Sequence, residues 1–216
     1  MKNIFIATLI ATTFTAGGLQ ASTINGAATG LAAPEVALGF DEVRLTPGQT
    51  VTDQFAGFGV TFSPAVSYRN ENLPSNQGGY NSRSNFSDGA LFNFGSVAGN
   101  FTFFDPFSIL FGPAVTDATL AFASNNATVT FSSLLDGTLV ESFTTSGGPN
   151  SGFFGFSGSL FDEILIDVSN ATAGGRGASF DNLSFNPAPV PLPAGLPLMA
   201  AVLAVFGGLK WRRSRV

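Results

Sequence analysis

Residues 22–189 contain no histidine, cysteine or lysine, and their only cations are Arg44, Arg69, Arg83 and Arg176, set against all 14 acidic residues of the chain. That inventory excludes disulfides, thiolate nucleophiles, imidazole bases and lysine Schiff bases from this region. The chemistry that remains belongs to carboxylates, amides, hydroxyls and a few guanidinium groups. Two constellations of these stand out. Asp41 and Glu42 lie near the start of the region and Asp181 near its end. If the first and last strands are neighbours, the three carboxylates converge and offer oxygens to Ca2+, which takes six to eight at about 2.3–2.6 Å. A structural Ca2+ stapling the chain ends is the cofactor this pattern predicts. The second constellation is the polar stretch 68–89, which holds both tyrosines of the chain. Tyr68, Arg69, Tyr80 and Arg83 there form a candidate ligand loop, in which a tyrosine ring stacks on a sugar and the arginines bond its hydroxyls.

A third set, Asp162, Glu163 and Asp167, places two carboxylates on one face of an alternating run, the minimum for glycoside hydrolysis. Nothing in its surroundings separates an acid from a base. The acidic balance also repels phosphate backbones, so nucleic acid is not an expected partner.

The elements that must position these residues are strands. Helical periodicity is almost absent between residues 22 and 189, where short alternating runs recur between Gly, Asn, Ser and Pro, the pattern of an all-β sandwich. Twelve runs are predicted, at 36–41, 50–55, 60–63, 90–94, 101–104, 108–111, 118–123, 127–134, 139–145, 152–157, 163–168 and 178–186. Asp136-Gly137 predicts a tight hairpin within 127–145. Ile164, Ile166 and Val168 are expected to face the core, as are Leu120 and Phe122. The chain has 24 phenylalanines. A buried ring contributes up to a few kcal/mol at about 25 cal/mol per Å2, enough for a core without cross-links.

Both ends of the chain read as signals. Lys2, an apolar run over 4–14 and Leu19-Gln20-Ala21 predict a secretory signal peptide over 1–21. An Ala- and Gly-rich stretch, 22–34, reads as a flexible leader and 35–186 as the domain. A proline-rich spacer over 187–194 leads to an apolar segment, 195–209, predicted as one transmembrane helix. At 1.5 Å per residue this helix reaches about 22 Å against a hydrocarbon core of about 30 Å, which suits transient holding better than permanent anchorage. Residues 210–216 form a basic tail, and Lys210, Arg212, Arg213 and Arg215 keep that tail in the cytoplasm.

The order Val190-Pro191-Leu192-Pro193-Ala194, apolar helix, basic cluster resembles the sorting signal of PEP-CTERM exported proteins, in the variant whose motif reads Val-Pro-Leu-Pro-Ala. The resemblance implies Sec export from a Gram-negative cell, transient inner-membrane anchorage and processing near the motif by an exosortase, a membrane cysteine protease. Two further blocks, Gly39-Phe40-Asp41-Glu42 and Phe180-Asp181-Asn182-Leu183, look like the first and last strands of a jelly roll similar to carbohydrate-binding modules. The expectation is therefore an all-β, jelly-roll-like antiparallel sandwich with a signal peptide and one C-terminal helix. It acts without catalysis as a polysaccharide adhesin of the cell surface or exopolysaccharide matrix. A purely structural matrix protein and a secreted hydrolase are the alternatives.

Overall fold

The computed structural model describes residues 21–70, 84–97, 100–124, 128–146, 152–168 and 177–189. Signal residues 1–20, the sorting motif Val190 to Ala194, the predicted transmembrane helix, the basic tail, Tyr80 and Arg83 lie outside them. No helix among the described residues is long and apolar enough to cross a membrane.

The described chain is all-β. Its strands are β1 Ser22–Ala27, β2 Val36–Leu38, β3 Thr50–Val51, β4 Val60–Ser63, β5 Val66–Asn70, β6 Gly89–Phe92, β7 Phe94–Val97, β8 Asn100–Phe103, β9 Phe107–Ser124, β10 Thr128–Leu135, β11 Thr138–Ser146, β12 Gly152–Asp167 and β13 Ala178–Pro187. A single 3-10 turn, Ala56–Phe58, interrupts them. Eleven strands form one antiparallel sheet along the path β11-β10-β12-β9-β13-β6-β5-β3, with β1 on β12, β2 on β13 and β4 on β9. The hairpin β7–β8 forms a small second sheet.

The two long strands decide the shape. In β9, Phe107 to Leu110 pair with Ile166 to Glu163 of β12, and Ser108 to Phe111 also pair with β4. Beyond Gly112, residues Ala118 to Phe122 pair with the first part of β12 on one side and with β13 on the other. Each long strand thus serves two differently partnered halves of the sheet. The runs 108–111 and 118–123, expected as separate strands, are one strand. The breaks in alternation mark where it changes partners, since polar and small residues suffice at a bend. The same holds for 152–157 and 163–168 in β12, whose register shifts between Ser157 and Glu163.

Phenylalanine rings join the two halves. Phe131 of β10 lies 5.4 Å from Phe154, stacked, and 5.0 Å edge-on from Phe122. Phe107 stacks on Phe180 at 5.4 Å and Phe111 meets Phe185 at 5.2 Å. Such pairs add about 0.5–1.5 kcal/mol each beyond area burial. The arrangement is consistent with a β-sandwich closed around one aromatic core. Ile164, Ile166, Val168, Leu120 and Phe122 are all buried in it, as their alternation predicts. The hairpin β10–β11 turns at Asp136 (φ 50°) and Gly137 (φ 73°), so both central residues take the left-handed conformation of a primed turn.

The stretch 22–34 departs from expectation. Its first part is strand β1, which pairs with β12 from Ser22 opposite Ser157 to Ala27 opposite Phe153. Its Ala and Gly content made it read as a leader, yet an edge strand needs backbone groups more than side chains. Gly30 follows so closely that a Cβ there would sit 3.1 Å from Phe153 and from Thr119 Oγ1.

Candidate functional site

Three elements meet around Asp41 and Asp181: the turn after β2, the entry to β6 and the middle of β13. The turn is shaped by Phe40, whose ring is fully buried against Phe55 (5.2 Å) and Phe180 (5.7 Å). Burying it forces φ to 60°, an uncommon conformation for a bulky residue. Asn85 (φ 62°) and Asn182 (φ 47°) are also left-handed, so three of the four such non-glycine residues among those described surround this place. For asparagine the conformation costs little. The Asn182 side chain ties the two asparagines together, its Nδ2 donating to the Asn85 carbonyl at 2.7 Å.

Bending the chain this way points backbone donors at carboxylates. Asp181, 0% exposed, accepts the Ser87 N–H at 2.6 Å, the Ser87 hydroxyl at 3.3 Å and the Asn182 N–H at 2.6 Å. Burial pushes its pKa up to about 7, against the lowering effect of those donors, and the neighbouring Asp41 charge adds to the rise. Asp41 accepts the Tyr68 hydroxyl at 3.2 Å and the Gly89 N–H at 3.3 Å. Burial raises its pKa too, with Asp88 and Glu42 repelling the charged form. Gly89 is required here, since a Cβ would fall 2.5 Å from Asp41 Oδ1 and 2.7 Å from the Tyr68 ring.

Two expectations are modified at this point. Asp41 and Asp181 do converge, but Glu42 curls back and its Oε1 accepts the Gly39 N–H of its own turn at 2.8 Å. No three acidic side chains among the described residues are gathered so as to hold a metal ion. The carboxylates expected to ligate Ca2+ are instead acceptors for protein N–H and O–H groups. Unfolding midpoints with a chelator and with added Ca2+ read whether a cation displaces those donors.

The second modification concerns the ligand loop. Tyr68 and Arg69 are consecutive in β5, so they point to opposite faces of the sheet. Tyr68 points inward, is 5% exposed and cannot serve as a stacking platform for a sugar. Its phenol pKa is raised, chiefly by burial. Arg69 points outward to the face crossed by β7. Of the second constellation only Tyr68 reaches the carboxylates, buttressing Asp41 from within.

Ser87, Gly89, Asn85 and Asn182 are functional neighbours that residue types alone did not single out. Their signal is the Ser-Asp-Gly run closing the polar stretch, whose partner 94 residues away in Asp181 no local pattern reveals. The same applies to Asp117 in β9. Burial opposes its charge, but the Ser157, Thr116 and Asn186 side chains and the Gly158 N–H together lower its pKa. The remaining carboxylates also hold structure: Asp162 accepts the Asp136 N–H at the hairpin turn and Glu163 accepts the Ser108 hydroxyl.

No family model and no curated protein matches the chain.

Beside the carboxylates opens a cleft of about 250 Å3 lined by Leu31, Pro34, Leu38, Phe153, Asn182 and Ser184, with Gly30, Ala37 and Gly39 completing it. Segment 28–35 forms one wall and strands β2 and β13 the other. Ser184 is held by Thr119, their hydroxyls 2.9 Å apart. Asn182, with its Nδ2 committed to Asn85, turns its amide oxygen toward Gly39, where a Cβ would lie 3.8 Å away. An apolar floor with a few fixed polar groups at its rim suits a sugar ring, whose C–H face is apolar and whose edge carries hydroxyls.

Proposed function

We propose that the protein is an exported, non-enzymatic polysaccharide adhesin of the cell surface or exopolysaccharide matrix of a Gram-negative bacterium. Its domain is a jelly-roll-like β-sandwich. A signal peptide takes it through the Sec machinery, and the PEP-CTERM tail holds it in the inner membrane until an exosortase processes it at Val190 to Ala194. The observation that carries the binding part of this reading is the cleft between β2, β13 and segment 28–35. It offers an apolar floor to a pyranose ring and the Asn182 amide to its hydroxyls. The carboxylates nearest to it are committed to protein donors, which favours binding over hydrolysis.

The full chain is expected to be retained by insoluble polysaccharides in a pull-down, with Asn182→Gly, which tolerates the φ of 47°, reducing retention several-fold at a temperature where the variant remains folded. One to two hydrogen bonds of about 1 kcal/mol set that scale. Absence of retention on a broad polysaccharide panel overturns adhesion in favour of a purely structural matrix role. Release of reducing sugar in a glycosidase screen overturns the non-enzymatic assignment.

A further inference from the structure

Arg69 is a cation with no carboxylate partner among the described residues. It projects from the outer face of β5, where its guanidinium carbon lies 5.5 Å from the Phe92 ring centroid and 5.0 Å from that of Phe94. Phe92 is 4% exposed and belongs to β6, next to β5, while Phe94 opens β7. The Ser67 hydroxyl, on the same face, donates to the Phe94 carbonyl at 2.6 Å and fixes the start of that hairpin over the sheet. The arginine therefore lies against one side of a ring pair that is itself in edge-to-face contact at 5.3 Å and whose position is set by the fold.

Its hydrogen-bonding state is unusual for this protein. The Nε atom is buried without a hydrogen-bond partner. Burial alone lowers the pKa of the group, with no carboxylate among the described residues contributing. Residues 22–189 carry 14 acidic side chains and four arginines. In such an excess of acid the ordinary arrangement for an arginine is a carboxylate partner. The rings orient a guanidinium through cation–π attraction, but they satisfy none of its five N–H donors.

We propose that Arg69, seated against Phe92 and Phe94, is the contact for the carboxylate of a uronic-acid-containing polysaccharide. The inference rests on the polysaccharide-adhesion reading and names the class of sugar. A planar guanidinium lying against one side of a ring pair leaves its two terminal nitrogens for a carboxylate, which accepts two parallel hydrogen bonds from such a fork. Phe103, 37% exposed and 5.7 Å from Phe94, extends an apolar surface beside it against which the C–H face of the same sugar can lie. At about 0.15 M salt the net acidity of the domain is screened beyond about 8 Å, whereas a direct contact between the guanidinium and one carboxylate is not.

Affinity electrophoresis of the full chain tests the assignment, with gels containing polygalacturonate, its methyl-esterified form, or a neutral β-glucan, at about 0.15 M salt. Retardation by polygalacturonate is expected to exceed that by the ester by about tenfold in apparent Kd, the scale of one charge-assisted contact. Arg69→Met, which keeps an apolar stem against the rings, and Arg69→Lys, which keeps charge but loses the planar fork, are both expected to remove that difference. Equal retardation of the wild-type chain by acid and ester overturns the proposal without reference to any variant. So does Arg69→Met binding polygalacturonate as tightly as wild type. Retention on all three gels with no preference for the acid sinks this inference and leaves adhesion standing, whereas no retention on any gel sinks both.

Discussion

Asp181 shows how one residue couples the site to solution conditions. Its carboxyl is enclosed between β13 and Ser87, and burial raises its pKa from 3.8 to about 7. Between those values the folded chain keeps a proton that the unfolded chain has lost. Stability from this group is thus fully present below pH 3.8, falls as pH rises through the window and is gone above about 7. The slope is at most about 1.4 kcal/mol per pH unit for one proton. Asp41, also raised, acts in the same direction, while Asp117, lowered, acts oppositely and loses its contribution as pH falls. Comparison with Asp181→Asn isolates the term. The wild-type midpoint is expected to fall relative to Asp181→Asn between pH 5 and pH 8, and parallel pH profiles for the two chains would remove Asp181 from the account. At this scale the sequence carried the residue but not its state. Asp41 and Asp181 were legible as a pair because the chain ends were expected to be neighbours. Tyr68 and Arg69 were read together as ligand groups, although strand alternation alone separates a core tyrosine from a surface arginine. The strand boundary needed to apply that rule lay within a polar stretch.

At the scale of elements, alternation and turn chemistry were read well where a strand is covered on one face. The hairpin β10–β11 and the inward row Ile164, Ile166 and Val168 are of this kind. They were read poorly where backbone pairing outweighs side-chain burial. Strand β1, Ser-Thr-Ile-Asn-Gly-Ala, has no fully buried side chain, yet it covers the edge of β12 over Phe153 to Ser157. What it contributes is hydrogen bonds, each worth about 0.5–1.5 kcal/mol net, less the entropy of ordering six residues. Residues 28–34 add a different term, because they lie over Phe153 and wall the cleft. Removing residues 22–27 from the mature chain should lower stability by roughly 1–3 kcal/mol in urea unfolding. Removing 22–34 should cost more and abolish binding in the cleft, since Phe153 is then uncovered. If both truncations unfold at the wild-type urea concentration, the stretch is the passive leader its composition suggested.

For the whole molecule, the telling feature is how little chain separates the folded domain from the sorting motif. The spacer was expected to start at residue 187, but Pro187 belongs to β13 and the Ala188 N–H donates to the Ala114 carbonyl at 2.8 Å. Fixed structure therefore runs to within two residues of Val190. From Ala188 to the start of the apolar segment at 195 the chain reaches no more than about 25 Å even when fully extended. With the tail in the membrane as proposed, a domain held this closely cannot swing far from the bilayer. The proteolytic step proposed at the motif must then take place close beneath the edge formed by β13 and β9. This makes release sensitive to spacer length in a way that a floppy linker would not be. Mass spectrometry of the protein from its own host is expected to show a C-terminus within or next to Val190 to Ala194. Insertion of six Gly and Ser residues after Pro189 should raise the processed fraction by relieving that crowding, by an amount read from the ratio of the two mature masses. A chain that still ends at Val216 would overturn exosortase processing altogether. A processed fraction unchanged by the insertion would show that the protease reaches the motif despite the folded edge, and that the short tether has no part in timing release.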